Sequence, residues 1–307
     1  MRGQKRLQGM RDNELGAYSH GNNKKHWGFC KYVLSFLAVC MILLSSIFLY
    51  YWIESEHYEI AGVPVLNYHQ VNDYNYSPLT VKTKHFDQEM EYLDANGYNT
   101  ITVDQLYEYL QNGTALPDKP VLITFDDGYV DNYKEALPIL EKYGMKATLF
   151  MIGDSINSPR FLTAEELKDM ERRGFEIQAH THSHKNLKAM TEDEVREDIR
   201  KNKTELELLL NHPVNYLAYP GGFNDAKVRR ITKEVGFKMA FTVKPGMTHP
   251  GDDLYRLQRL AVFEGDNAFL SLVLRLHMAP AVSALWALRD FLKDSGHELM
   301  AKLVPLF

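Results

Sequence analysis

Residues 121–129 read Val-Leu-Ile-Thr-Phe-Asp-Asp-Gly-Tyr, an apolar run that stops on two adjacent carboxylates and a glycine. Bounded by Pro120 and Gly128, the run predicts a buried strand, so Asp126 and Asp127 arrive at the rim of a sheet. Neighbouring like charges are costly at such a rim unless something positive holds them. A metal ion would do so, with one Asp as ligand and the other free to handle a proton. The other reading is an Asp-Asp-Gly turn that simply closes the strand.

The surrounding pattern fits that strand. From about residue 62, short apolar strands alternate with helical patterns, which implies an α/β domain built on a mostly parallel sheet or barrel. Strands are predicted at 63–68, 147–152, 175–179, 214–219, 239–243 and 257–263, besides the one at 121–125. Helices are predicted over 84–96, 102–111 and 132–143. Thr163 and Thr191, each with Glu three residues on, open two more. The chemistry-bearing residues fall repeatedly just after strands, where sheets of this kind assemble their active sites.

Residues 32–53 carry no charge and are long enough to cross a bilayer as a helix, with Tyr50, Tyr51 and Trp52 as an aromatic belt. No small-residue cleavage site follows, so the segment is expected to be an uncleaved single-pass anchor. The arm over 1–31 has seven Lys or Arg against Asp12 and Glu14. The positive-inside rule keeps this arm in the cytoplasm and puts the rest outside the cell membrane. That remainder holds 28 basic and 38 acidic residues, a balance that disfavours nucleic acid as a partner. Cys30 and Cys40 lie at or inside the apolar segment, so an outer metal site must use His and carboxylate. The expected organisation is arm 1–31, anchor 32–53, domain 54–265 and extension 266–307. In the extension, 269–276 and 281–292 read as amphipathic helices and 301–307 as an apolar end. They either pack on the domain or lie on the membrane surface.

His180-Thr181-His182-Ser183-His184 puts three imidazoles in five residues. His180 and His184 meet on one side if the segment turns helically. With Asp127 they offer two nitrogens and a carboxylate, the three-ligand set of a catalytic zinc site. The other reading is a polar, solvated loop. His182 points elsewhere on this geometry and reads as structural.

Thr124-Phe125-Asp126-Asp127-Gly128, then 180–184, then Ala218-Tyr219-Pro220-Gly221-Gly222 resemble, in order, the first three motifs of the polysaccharide deacetylases. This is carbohydrate esterase family four, with the NodB homology domain, and the resemblance spans about residues 62–265. Residues 63–69, Val-Pro-Val-Leu-Asn-Tyr-His, are similar to the leading strand of the branch acting on poly-β-1,6-N-acetylglucosamine. The resemblance implies a distorted (β/α) barrel of the NodB-homology type and metal-dependent removal of N-acetyl groups from an extracellular or cell-wall polysaccharide. It implies Asp126 as the catalytic base and one divalent ion, Zn2+, on Asp127, His180 and His184. It also implies the Gly221 backbone N–H as oxyanion donor, with Pro220 and Tyr129 on the substrate side. A general acid must protonate the departing amine. His69, at the end of the first strand, is expected in that role ahead of His277, which sits in an apolar tail.

The sequence departs from the family pattern twice. Ala218 stands where an arginine usually orients the base, and Arg256 or Arg259 could supply the missing cation. The Asp-Trp pattern of the fourth motif is absent. Two other functions remain compatible: an O-acetyl esterase of the xylan type, and a catalytically silent glycan-binding module.

Overall fold

The computed structural model describes residues 31–55, 57 and 61–304; the arm over 1–30, with Cys30, and the last three residues lie outside them. The chain divides after Tyr50 into two units. Helix α1 (Lys31–Glu54) contains an 18-residue stretch with a mean hydropathy of 2.5 and is long and apolar enough to cross a membrane.

The second unit is built on strands β1 (Val65–Tyr68), β2 (Gln70–Val71), β3 (Thr80–Val81), β4 (Asn99–Thr100), β5 (Pro120–Asp127), β6 (Ala147–Met151), β7 (Phe175–Ala179), β8 (Tyr216–Ala218), β9 (Met239–Phe241) and β10 (Leu260–Ala261). One sheet runs β10-β1-β5-β6-β7-β8-β9 with β4 beside β5, and β2 pairs with β3. Every pairing is parallel. Leu257 bridges to Phe241 of β9, while Leu260 pairs with Leu66 of β1. Residues 257–261 therefore tie the two edges of the sheet together, and the expected distorted barrel results.

Around it pack α2 (Thr83–Ala95), α3 (Val103–Asn112), α4 (Leu137–Lys142), α5 (Ala164–Arg172), α6 (Glu192–Leu210), α7 (Ala226–Glu234), α8 (Ala268–Asp294) and α9 (Glu298–Leu303). Thr102, Thr163 and Thr191 each close a capping box with the residue three positions on, which fixes where α3, α5 and α6 begin. In β5, Ile123 and Phe125 join the larger apolar cluster beneath the helices, whereas Leu122 belongs to a second one with Val65, Phe150 and Phe241. Period-two alternation thus puts Leu122, Thr124 and Asp126 on one face, toward the barrel interior.

Two elements differ from their sequence reading. The first turn after the Asp pair, Asn132–Ala136, is π-helical before α4 begins. The two helices expected in the extension are one, α8, which continues across Pro280. Burial of Leu272, Leu276, Ala279 and Pro280 on one side overrides the missing hydrogen bond. It packs on α2 and β10.

Candidate active site

The strand β5 runs through both carboxylates and ends on them. Asp127 and Gly128 take left-handed backbones, φ 75° and 86°. A Cβ at Gly128 would lie 2.1 Å from the Met151 sulfur, so only glycine fits there. The sharp exit separates the two side chains. Asp126 stays on the interior face and Asp127 emerges at the rim. The turn and the site are the same feature.

One strand pair away, residues 180–184 form an irregular bend rather than a helical turn. Left-handed residues Thr181 and His184 curl the loop back instead (φ 66° and 55°). The Asp198 carboxylate accepts from the His182 and Ser183 N–H groups, and Thr181 Oγ1 accepts from the His184 N–H. The result brings the rings of His180 and His184 to 5.0 Å between centroids. Asp127 Oδ1 lies 3.3 Å from His180 Nε2 and 3.1 Å from His184 Nε2. One donor atom from each of these residues falls within 4.8 Å of the others.

This donor set fits a divalent cation. His180 Nδ1 donates to the Ala218 carbonyl at 2.8 Å, leaving the Nε2 lone pair for a ligand. His184 is the more exposed ligand and leaves one side of the cluster open. His182 turns away, with Nδ1 2.9 Å from Glu205. Burial pushes Asp127 upward, but the two imidazoles outweigh it and hold the carboxyl well below the usual range. For His180 burial pulls downward, and Asp126 and Asp127 reverse it to a net rise. A cation would replace the proton that those carboxylates otherwise favour.

Of the two cations that the sequence offered in place of the motif arginine, Arg259 is the partner of Asp126. Arg259, fully buried, donates to both carboxylate oxygens at 2.7 Å, to the Thr242 carbonyl at 2.9 Å and to Thr124 Oγ1 at 3.2 Å. Burial would raise the Asp126 pKa, yet Arg259 above all keeps it lowered. The other candidate, Arg256, sits on the surface with Asp290. A recognisable signal was present: Leu257, Arg259 and Ala261 alternate, which places a cation on the interior face, where it requires a carboxylate.

His69 stands beside the same charges. Burial lowers its pKa, the carboxylates of Asp126 and Asp127 oppose this, and its Nδ1 has no hydrogen-bond partner among the described residues. Its carbonyl accepts from Asn132 Nδ2 at 2.8 Å, and buried Asp131 accepts from the Val71 N–H and from Asn72 Nδ2. The segment after the Asp pair thereby fastens the loop that carries His69. The competing His277 is a packing residue: its ring stacks on Trp52 at 3.6 Å, and Ser55 and Tyr92 bond its two nitrogens.

Pro220–Gly222 form one tight turn after β8, with Gly221 at φ 57°. The Tyr129 ring stacks on Phe161 at 4.9 Å. Burial and then the Asp127 charge raise the Tyr129 hydroxyl pKa. In chemical terms the arrangement offers a three-donor cation site, a clamped ionised carboxylate and an imidazole within one barrel mouth.

Residues 113–240 match the family model described as polysaccharide deacetylase. YxkH of Bacillus subtilis, whose name assigns it to the same family, is 36% identical over 214 residues, covering 70% of this chain and 75% of that protein. A poly-β-1,6-N-acetyl-D-glucosamine N-deacetylase of Staphylococcus epidermidis is 30% identical over 250 residues, with 70% and 83% covered. Among solved structures, the Streptococcus pyogenes deacetylase PplD in complex with acetate superposes with a TM-score of 0.67 at 27% identity, covering 70% of this chain and 98% of that one. IcaB from Ammonifex degensii gives 0.64 at 25% identity, with 71% and 97% covered.

Proposed function

Because the chain belongs to the polysaccharide deacetylase family and is an enzyme of that class, we propose that it removes N-acetyl groups from an N-acetylglucosamine polymer outside the cell, with Zn2+ as its metal and α1 as its membrane anchor. The observation that carries this reading is the Asp127, His180 and His184 donor cluster beside an Asp126 carboxylate clamped by Arg259. The Staphylococcus epidermidis relative supports a β-1,6-linked substrate by the activity in its name. Two imidazoles and one carboxylate are the donor set of hydrolytic zinc sites.

When bound, such an ion supplies a Lewis acid that polarises the acetamide carbonyl and acidifies the attacking water. The chain supplies the rest. Asp126 accepts the proton from the water as it attacks the carbonyl carbon, and Arg259 holds that carboxylate ionised and aimed. The Gly221 N–H donates to the oxygen as negative charge develops on it. Pro220 and Tyr129 border the acetyl group. His69 in its protonated form then delivers a proton to the sugar nitrogen as the C–N bond breaks.

The test is mass spectrometry of a β-1,6-linked oligomer and a chitooligosaccharide incubated with the protein and zinc. Stepwise loss of acetyl groups, abolished by a chelator, supports N-deacetylation. Acetate release from acetylated xylan alone would instead assign an O-acetyl esterase.

A further inference from the structure

The loop that follows His69 does more than close a turn. Asn72 donates to Asp131 and accepts from the N–H groups of Tyr74 and Asn75, while Gln70 Oε1 accepts from Asn75 Nδ2 and Thr80 Oγ1. The Glu264 N–H bonds the Pro78 carbonyl and closes the far side. This network holds the loop rigidly, yet it presents Tyr74 and Tyr76 to solvent at 70% and 90% exposure. Neither ring contributes to the core, so packing does not account for them. Under Tyr76 lies a cleft of about 520 Å³ lined by Asn72, Asp73, Asn75, His85 and Glu264 among others. That volume lies within the range of small-molecule sites, about 300–1,000 Å³.

The lining selects the ligand chemistry. Glu264 accepts from His85 Nδ1 at 2.9 Å and from the Lys82 N–H, and Asp73 accepts from the Thr83 N–H, while the Lys82 and Asp266 side chains also line the cleft. What remains is an exposed aromatic face above amide and carboxylate acceptors. A pyranose offers the complement, a C–H face for the electron-rich ring and hydroxyls around its edge for the polar groups. Asn72 is also held by Asp131, four residues beyond the ligand Asp127, and it follows His69 by three. The cleft therefore adjoins the barrel mouth.

Resting on the deacetylase reading above, we propose that this cleft is a subsite for a sugar unit of the same polymer, flanking the unit that loses its acetyl group. Tyr76 stacks on that unit, and the subsite makes the enzyme favour long chains. The test measures acetate release from β-1,6-linked N-acetylglucosamine oligomers of increasing length, using the full chain with zinc. Tyr76→Ala should raise KM for the longest oligomers about tenfold, as expected for losing one aromatic contact. It should leave the shortest oligomer within about twofold, and Tyr76→Phe should behave as wild type. Equal loss at every length, or no change on long oligomers, would overturn the subsite. Should the wild-type protein release no acetate, the deacetylase reading fails. Calorimetric binding of the longest oligomer then decides: affinity about tenfold weaker in Tyr76→Ala upholds the subsite, and unchanged or undetectable binding overturns it.

Discussion

Arg259→Met removes the cation from a pair in which both side chains are all but excluded from solvent, 0% and 3% exposed. Methionine keeps much of the volume, so the change is mainly electrostatic. It deletes two 2.7 Å bonds to Asp126 and the bonds to Thr242 and Thr124, leaving a buried carboxylate without its partner. Breaking a buried pair in this way costs about 3–5 kcal/mol. The Asp126 pKa should rise, because burial is then opposed only by His180 and His69. If about 3 kcal/mol of that cost is felt in keeping the base ionised, kcat falls roughly 100-fold at neutral pH. Urea unfolding of the wild-type protein, Arg259→Met, Asp126→Asn and the double variant gives the coupling. The double variant should recover at least about 1 kcal/mol relative to Arg259→Met, since no uncompensated charge remains. The kinetic assay is acetate release against pH, in which the acidic limb should move upward for Arg259→Met. A stability loss below about 1 kcal/mol together with an unmoved pH profile would refute the reasoning.

Two further outcomes follow from buried groups away from the Asp127, His180 and His184 cluster, and a third from His69 beside it. Glu89 is fully buried beneath the Tyr68 hydroxyl, and burial, against that hydrogen bond, raises its pKa to about 8. A raised folded pKa stabilises most below the unfolded value of 4.5 and loses that contribution as pH climbs through about 8. Glu89→Gln should therefore flatten a decline on the order of 5 kcal/mol between those limits in urea titrations, and an unchanged slope would contradict it. His277→Ala should destabilise the protein by about 2 kcal/mol, because it removes a stacked, doubly bonded ring, but should leave kcat of the folded fraction near wild type. His69→Ala should do the reverse, with amide hydrolysis falling at least about 100-fold and an activated aryl ester affected far less. Equal effects of the two substitutions on amide turnover would reject the distinction.

The parts of the fold that were legible in the sequence are those set by local rules. The capping boxes at Thr102, Thr163 and Thr191 and the apolar run before Asp126 act over a few residues, so the pattern carries them. The grouping of Asp127, His180 and His184 was legible as well, since Asp127 ends one strand of a parallel sheet and the two histidines lie just after another. Long-range features were only partly legible, and nothing local chose between Arg256 and Arg259 as the cation for Asp126. Arg259 lies 133 residues from Asp126, and only closure of the barrel through 257–261 brings them together. The His180 to His184 loop reaches its geometry through left-handed residues rather than a helical turn, a choice made by Asp198 on α6. Likewise, α8 runs through Pro280 because of what it packs on, which no local propensity encodes.

The two adjacent carboxylates provide the most direct measurement. Asp126→Asn and Asp127→Asn are prepared as the metal-free full chain, and each is titrated with zinc while acetate release from a β-1,6-linked N-acetylglucosamine oligomer is followed. With Asp126 moving the proton and Asp127 holding the ion, Asp126→Asn binds zinc about as tightly as wild type but releases no acetate. Asp127→Asn loses zinc affinity by at least about tenfold. Zinc binding that survives in Asp127→Asn, or acetate release that survives in Asp126→Asn, would contradict the division of labour between the two residues.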